Sequence, residues 1–132
     1  MTEKKHIDVA IALVWKDGHL LVSRRLEQAH LGGYWEFPGG KLEAGESAKA
    51  CAEREVLEEV AVAVRARAER SRIVYEYEDR VVTLLPVDCD WLSGEPAPLR
   101  AAEVRWANPN ELAELRFPPA NEPLLSDLAL RR

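Results

Sequence analysis

The chain has 132 residues and carries 23 acidic against 18 basic side chains, a formal net charge of -5. That is the length of one domain, spanning 1–132, and hydrophobic residues at 47% with charged ones at 31% exclude a disordered or fibrous class. The acidic balance also excludes the broad positive field that holds nucleic-acid polymers or anionic membranes, so a polyanionic ligand needs a local device to hold it.

Cys51 and Cys89 are too few for a disulfide framework and stand among apolar neighbours, so both are read as reduced and buried. The longest apolar run, Val9 to Trp15, is far too short for a membrane span, and the residues before it do not form a signal peptide. A cytoplasmic protein is the expectation.

In chain order, Val9 to Trp15 and Leu20 to Arg24 flank Asp17-Gly18 and read as a β-hairpin. Leu26 to Tyr34 reads as a loop, followed by Trp35-Glu36-Phe37 and Pro38-Gly39-Gly40, where glycines let the backbone approach a ligand closely. From Ser47 to about Val60 a helix is predicted. Ala48, Ala52, Val56 and Val60 form its i, i+4 stripe, and Ser47 can cap it. No element is assigned to 61–72. Ile73 to Glu78 and Val81 to Trp91 alternate as strands joined at Glu78-Asp79-Arg80, and Ser93 to Pro98 is a loop. A short strand near Val104 to Trp106 leads to Asn108-Pro109, an N-cap followed by proline in the first turn, and Glu122 to Leu130 reads as a closing helix. The order implies an α/β fold, a mixed sheet with helices on both faces.

The helix carries the chemistry. Six glutamates lie between Glu43 and Glu59 against two cations, Lys49 and Arg54. On a helix Glu55, Glu58 and Glu59 fall within an arc of about 100°, beside the apolar stripe. Like charges at i, i+3 and i, i+4 repel, so something should offset them. A solvated acidic face is one reading. The other is a site for Mg2+ or Mn2+, favoured by the clustering, by the adjacent Arg54 and by the free carbonyl groups of Pro38-Gly39-Gly40 upstream. A divalent ion would let an acidic protein hold a polyphosphate.

Gly40, Glu46 and the run Arg54-Glu55-Val56-Leu57-Glu58-Glu59-Val60-Ala61-Val62 resemble the Nudix box, G-x5-E-x7-R-E-U-x-E-E-x-G-U with U hydrophobic. The one departure is Ala61, where the family has glycine, and it bears on the turn that ends the helix. The resemblance implies a Nudix fold, an α/β/α sandwich, and Mg2+-dependent hydrolysis of a nucleoside diphosphate linked to another group, with Mn2+ as a substitute. It makes Glu55, Glu58, Glu59 and the Gly39 carbonyl the metal ligands, with Arg54 and Glu46 orienting them. P-loop, zinc and nucleophile-elbow motifs are absent from the sequence.

Beyond the box the chain resembles the branch of that family that hydrolyses 8-oxo-dGTP to 8-oxo-dGMP and pyrophosphate. Ser23-Arg24-Arg25, His30, Glu36 to Lys41, Tyr75 to Arg80 and Phe117 to Pro123 carry the likeness. It implies that Asn121 reads the base edge, where its residue type alone suggests an N-cap. It also implies that Arg25 and Arg80 contact the nucleotide, each otherwise a surface cation, and that Phe37 and Tyr77 wall the base, each otherwise core. His30 is otherwise a surface loop residue. Position counting puts Arg100 where that branch has a further glutamate, which leaves Glu103 as the candidate for a metal or water contact or else a surface residue. Relatives acting on CTP or modified cytidine triphosphates share much of the pattern. A non-catalytic base-binding module of the same fold is the alternative of a different class, although such modules lose the box carboxylates kept here. The expected partner is a nucleoside triphosphate, with no membrane or nucleic-acid polymer, and the expected state a monomer or weak dimer.

Overall fold

The computed structural model describes residues 4–130. Strand β1 (Lys5–Lys16) turns through Asp17 and Gly18 into β2 (His19–Arg24). Both turn residues have positive φ, 51° and 76°, which is the backbone an Asp-Gly hairpin turn requires. Two short strands follow, β3 (Trp35–Glu36) and β4 (Gly39–Lys41), then helix α1 (Ala48–Val60). Next come β5 (Ala63–Glu69), β6 (Ile73–Glu76), β7 (Arg80–Ser93) and β8 (Glu103–Ala107). Two 3-10 turns, Pro109–Glu114 and Pro119–Asn121, lead into α2 (Glu122–Leu130).

The main path of the sheet runs β3-β2-β1-β7-β5, with β4 added to β1, β6 to β7 and β8 to β2. β1 and β7 are parallel from Lys5↔Arg80 to Trp15↔Asp90, while the other pairs are antiparallel, so the sheet is mixed. Successive side chains of a strand point to opposite faces. In β1 this sends Ala10, Ala12 and Val14 toward the core that holds Cys51, Ala52, Val56 and Val60 of α1. Ile11 and Leu13 go to the other core, with Leu112, Ala120, Leu124 and Leu128. The unbroken apolar run of β1 is thus a strand covered on both faces, and the expected helix-sheet-helix layering is observed.

Two assignments change. Pro38-Gly39-Gly40 does not stay a loop: Gly39–Lys41 pairs with β1 at Ile11, Ala10 and Val9. The unassigned stretch 61–72 contains β5, whose Ala-Val-Arg-Ala-Arg-Ala pattern has little β preference and whose pairing with β7 is interrupted by two register shifts. β1 pairs with β2 only at Trp15↔Leu20 and Lys16↔His19, after which β4 takes the place beside β1. This split in the sheet brings Gly39 and Gly40 next to α1.

Candidate active site

Ser47 caps α1, its hydroxyl accepting from the Ala50 N–H at 3.1 Å. At the other end Ala61 adopts a left-handed conformation, φ 61° and ψ 29°, and its N–H still donates to Leu57 O. The turn that glycine normally eases is therefore kept by alanine, with the strain of a Cβ in that region.

Arg54 answers the repulsion along the helix. Its Nε and Nη2 grip the two oxygens of Glu46 at 2.8 and 2.9 Å, while Nη1 donates to Glu55 at 2.9 Å and to Glu58 at 3.2 Å. The guanidinium holds the Glu46 carboxyl down at a pKa of about 2, helped by the Glu43 N–H. The bidentate grip fixes Arg54, and Arg54 fixes Glu55 and Glu58.

Gly40 makes room for one of the carboxylates, while the space beside Gly39 is taken by the β1 backbone at Ala10 and Ile11. A Cβ on Gly40 would lie 2.5 Å from the Glu55 carboxyl carbon, so that carboxylate occupies the space a side chain would fill. The Gly39 N–H donates to Glu59 Oε2 at 3.0 Å. Glu59 is pushed up to a pKa of about 9, first by burial, then by its hydrogen bond with Glu55 and the negative charges of Glu36 and Glu55. Burial also raises Glu36, against the pull of Arg25.

Glu55, Glu59 and Gly39 line a cleft of about 270 Å³ together with Arg25, Glu36 and Arg100. Arg25 is firmly placed, donating to His30 O at 2.6 Å and to Glu36 at 2.9 Å. It also lines an adjoining cleft of about 720 Å³ with Lys5, His30, Lys41 and Arg80. The acidic cleft thus opens beside a basic one, an arrangement suited to a cation and a polyanion bound side by side.

All donors here are hard oxygens, and the burial and crowding of negative charge that raise the Glu59 carboxyl are what a divalent cation would relieve. No three His, Cys, Asp or Glu side chains among the described residues converge as a ready-made cage. Glu58 is turned to Arg54 and to Arg100, at 3.2 and 3.4 Å. Mg2+ commonly takes one or two carboxylates and completes its shell with waters and phosphates, so the donor set fits such an ion without a closed cage.

The other expected residues separate. Glu103 is 49% exposed and paired with Arg24 at 3.2 Å, its strand partner across β2 and β8, rather than with the helix carboxylates. Phe37 is 4% exposed and packs on Phe117 with ring centroids 5.1 Å apart, within the core that holds Trp35 and Leu124. Tyr77 packs on Tyr75 with ring centroids 4.8 Å apart and planes tilted by 54°, and it lies under Arg80, also at 4.8 Å. Asn121 is 8% exposed, at the end of the 3-10 turn just before α2. Glu36 and Arg100 are cleft residues that no motif singled out as site residues. Their signal lies in the fold, since Arg100 reaches Glu58 across 42 positions of sequence.

A tethered carboxylate face on a mixed sheet between helices thus opens on an acidic and a basic cleft. The NUDIX domain family matches residues 9–127. Over 125 residues the chain is 31% identical to the 8-oxo-dGTP diphosphatase of Escherichia coli K12, covering 94% of this chain and 97% of that protein. It is 30% identical over 128 residues to the CTP pyrophosphohydrolase of the same organism, covering 96% and 95%. The crystal structure of the MutT protein from Methanosarcina mazei Go1 superposes with a TM-score of 0.86 at 22% identity, over 99% of this chain and 98% of that one. The chain belongs to the Nudix family and is a Nudix hydrolase, a group of enzymes that generally use a divalent metal.

Proposed function

We propose that the protein is an Mg2+-dependent nucleoside triphosphate pyrophosphohydrolase that converts 8-oxo-dGTP to 8-oxo-dGMP and pyrophosphate and so cleans the nucleotide pool used in DNA replication. The observation that carries the chemistry is the face of Glu55, Glu58 and Glu59, with Glu55 in the space left by Gly40, Glu59 held by the Gly39 N–H, and Glu55 and Glu58 tethered by Arg54 to Glu46. The 31% identity to an 8-oxo-dGTP diphosphatase along nearly its whole length supports the substrate. So does Asn121, a nearly buried amide, since an amide presents a donor and an acceptor together and can read a base edge.

Glu55, Glu58 and Glu59 would hold Mg2+, or Mn2+ in its place. When bound, the ion supplies charge neutralisation at the phosphate oxygens and a water of lowered pKa. Arg54 keeps Glu55 and Glu58 aligned. Arg25, locked between Glu36 and the His30 carbonyl, presents a fixed positive charge where the two clefts meet, and Arg80 lines the basic cleft. A nucleotide with its phosphates at Arg25 would be oriented by these residues before any bond breaks. The CTP pyrophosphohydrolase likeness supports a second reading, a cytidine triphosphate substrate handled by the same machinery.

The test is a comparison of kcat/KM for 8-oxo-dGTP, dGTP, CTP and 5-substituted dCTP with Mg2+. Preference for 8-oxo-dGTP is expected, and preference for CTP would overturn the guanine reading. Glu58→Gln should abolish divalent-dependent turnover of every nucleotide. Asn121→Ala should keep phosphate chemistry and lose discrimination among bases.

A further inference from the structure

Arg100 shares the cleft with Glu55 and Glu59, and its backbone is fastened from both sides. The N–H groups of Leu99 and Arg100 both donate to Glu59 O, at 3.1 and 3.2 Å, and Ala97 N–H donates to Val60 O at 2.9 Å. They use carbonyl groups that the end of α1 leaves open. Two residues on, Ala102 N–H donates to Arg24 O at 2.8 Å. The Cα of Arg100 is thus set at the edge of the carboxylate face.

Its side chain is held far less. It is 62% exposed and, among the described residues, its polar contact is Nη1 to Glu58 at 3.4 Å. The other two arginines near the cleft are committed, Arg54 to Glu46, Glu55 and Glu58, and Arg25 to Glu36 and the His30 carbonyl. A guanidinium has five N–H donors in a fork that fits phosphate, and a single exposed contact of this length contributes little. Arg100 is therefore a cation with fixed backbone, spare donors and an easily surrendered partner, at the mouth of an acidic cleft that a polyphosphate must enter.

We propose that Arg100 is a phosphate-binding residue: with Arg25 it holds the phosphate chain of the nucleotide, giving up Glu58 for phosphate oxygens when substrate arrives. This rests on the phosphoanhydride reading of the cleft and goes beyond it by naming the residue that receives the chain. A cation at this position also makes the cleft more welcoming to a triphosphate than a carboxylate would.

Binding without turnover tests it. With Mg2+ present, calorimetry would measure the affinity of inorganic tripolyphosphate and of α,β-imido-dGTP, which resists cleavage between the α and β phosphorus, for the wild type, Arg100→Ala and Arg100→Lys. Arg100→Ala should weaken both ligands by about tenfold, the loss expected for a charge-assisted hydrogen bond, with the melting temperature unchanged. Arg100→Lys should recover part of the loss. Unchanged tripolyphosphate affinity in Arg100→Ala overturns the proposal, and so does a loss that lysine does not relieve or that comes with a lower melting temperature. An Arg100-dependent tripolyphosphate affinity in a protein that hydrolyses no nucleoside triphosphate would leave Arg100 in place and remove the substrate reading. Normal nucleotide hydrolysis with an indifferent Arg100→Ala would do the reverse.

Discussion

Replacing Gly40 by alanine adds one methyl group at the place where the sheet meets the carboxylate helix. Gly40 lies in a strand, paired with Ala10, and its φ is not in the positive range, so alanine fits the backbone. The added Cβ would stand 2.5 Å from the Glu55 carboxyl carbon, 2.6 Å from Oε2 and 2.8 Å from Oε1, against 3.4 Å for ordinary contact. The carboxylate must therefore retreat by close to 1 Å. Retreat is cheap for the fold, because only the end of a flexible side chain moves, but it costs Glu55 its position beside Glu59. A misplacement of about 1 Å at a reacting centre lowers turnover by roughly a hundredfold. We expect Gly40→Ala to unfold at a temperature close to that of the wild type and to show kcat/KM with Mg2+ reduced by about that factor. Wild-type activity in a variant of unchanged stability would refute the account of Gly40 as the seat of Glu55, and a large drop in melting temperature would show that the glycine serves the fold instead.

Glu59, raised to a pKa of about 9 by burial, Glu55 and Glu36, gives a stability effect of definite sign. A carboxyl with a raised folded pKa favours the folded state fully below its unfolded value near 4.5, and that contribution is lost as pH rises toward about 9. In EDTA the melting temperature should fall across this window, Glu59→Gln should flatten the fall, and Mg2+ should restore the wild type at alkaline pH. Parallel pH profiles for the two proteins would count against the assignment. Ala61→Gly removes a Cβ from a left-handed residue and should raise stability by about 1 kcal/mol in urea denaturation, while an unchanged midpoint would mean the turn is unstrained. Arg70 pairs with Asp88 at 2.9 Å and with Asp127 of α2 at 2.6 Å, and Asp88 also accepts from the Trp15 indole at 2.9 Å. Arg70→Ala leaves the 7% exposed Asp88 without its cation and should cost about 3 kcal/mol, again by denaturation, with a loss below ~0.5 kcal/mol as the contrary result.

What local sequence encodes is visible where the partners are close in the chain. The Asp17-Gly18 turn, the capped helix ending at Val60, the Asn108 cap with its reciprocal Glu111 contact and the closing helix Glu122–Leu130 all follow from short-range rules, and all are observed. The carboxylate face belongs with them, because helical geometry alone puts Glu55, Glu58 and Glu59 together and Arg54 within reach of two of them. Even the net charge resolves in sequence: residues 43–59 hold six acids and two bases, and the rest of the chain is almost neutral, with 17 acids against 16 bases.

Tertiary structure decided the rest. β5 is a strand because β7 is beside it, and its own residues have little preference for one. Gly39–Lys41 is a strand because β1 leaves β2 after two pairs and offers its edge. Phe37 went to the core, and Glu103 to its cross-strand neighbour Arg24, each settled by a partner 79 or 80 positions away. Arg100 and Glu36 entered the cleft in the same way, through folding that brings a loop to the end of α1 and a strand to its side. Periodicity and capping are local properties that a sequence displays directly. Burial, register and the company a charge keeps depend on segments far apart in the chain, and they exist only once the sheet has formed.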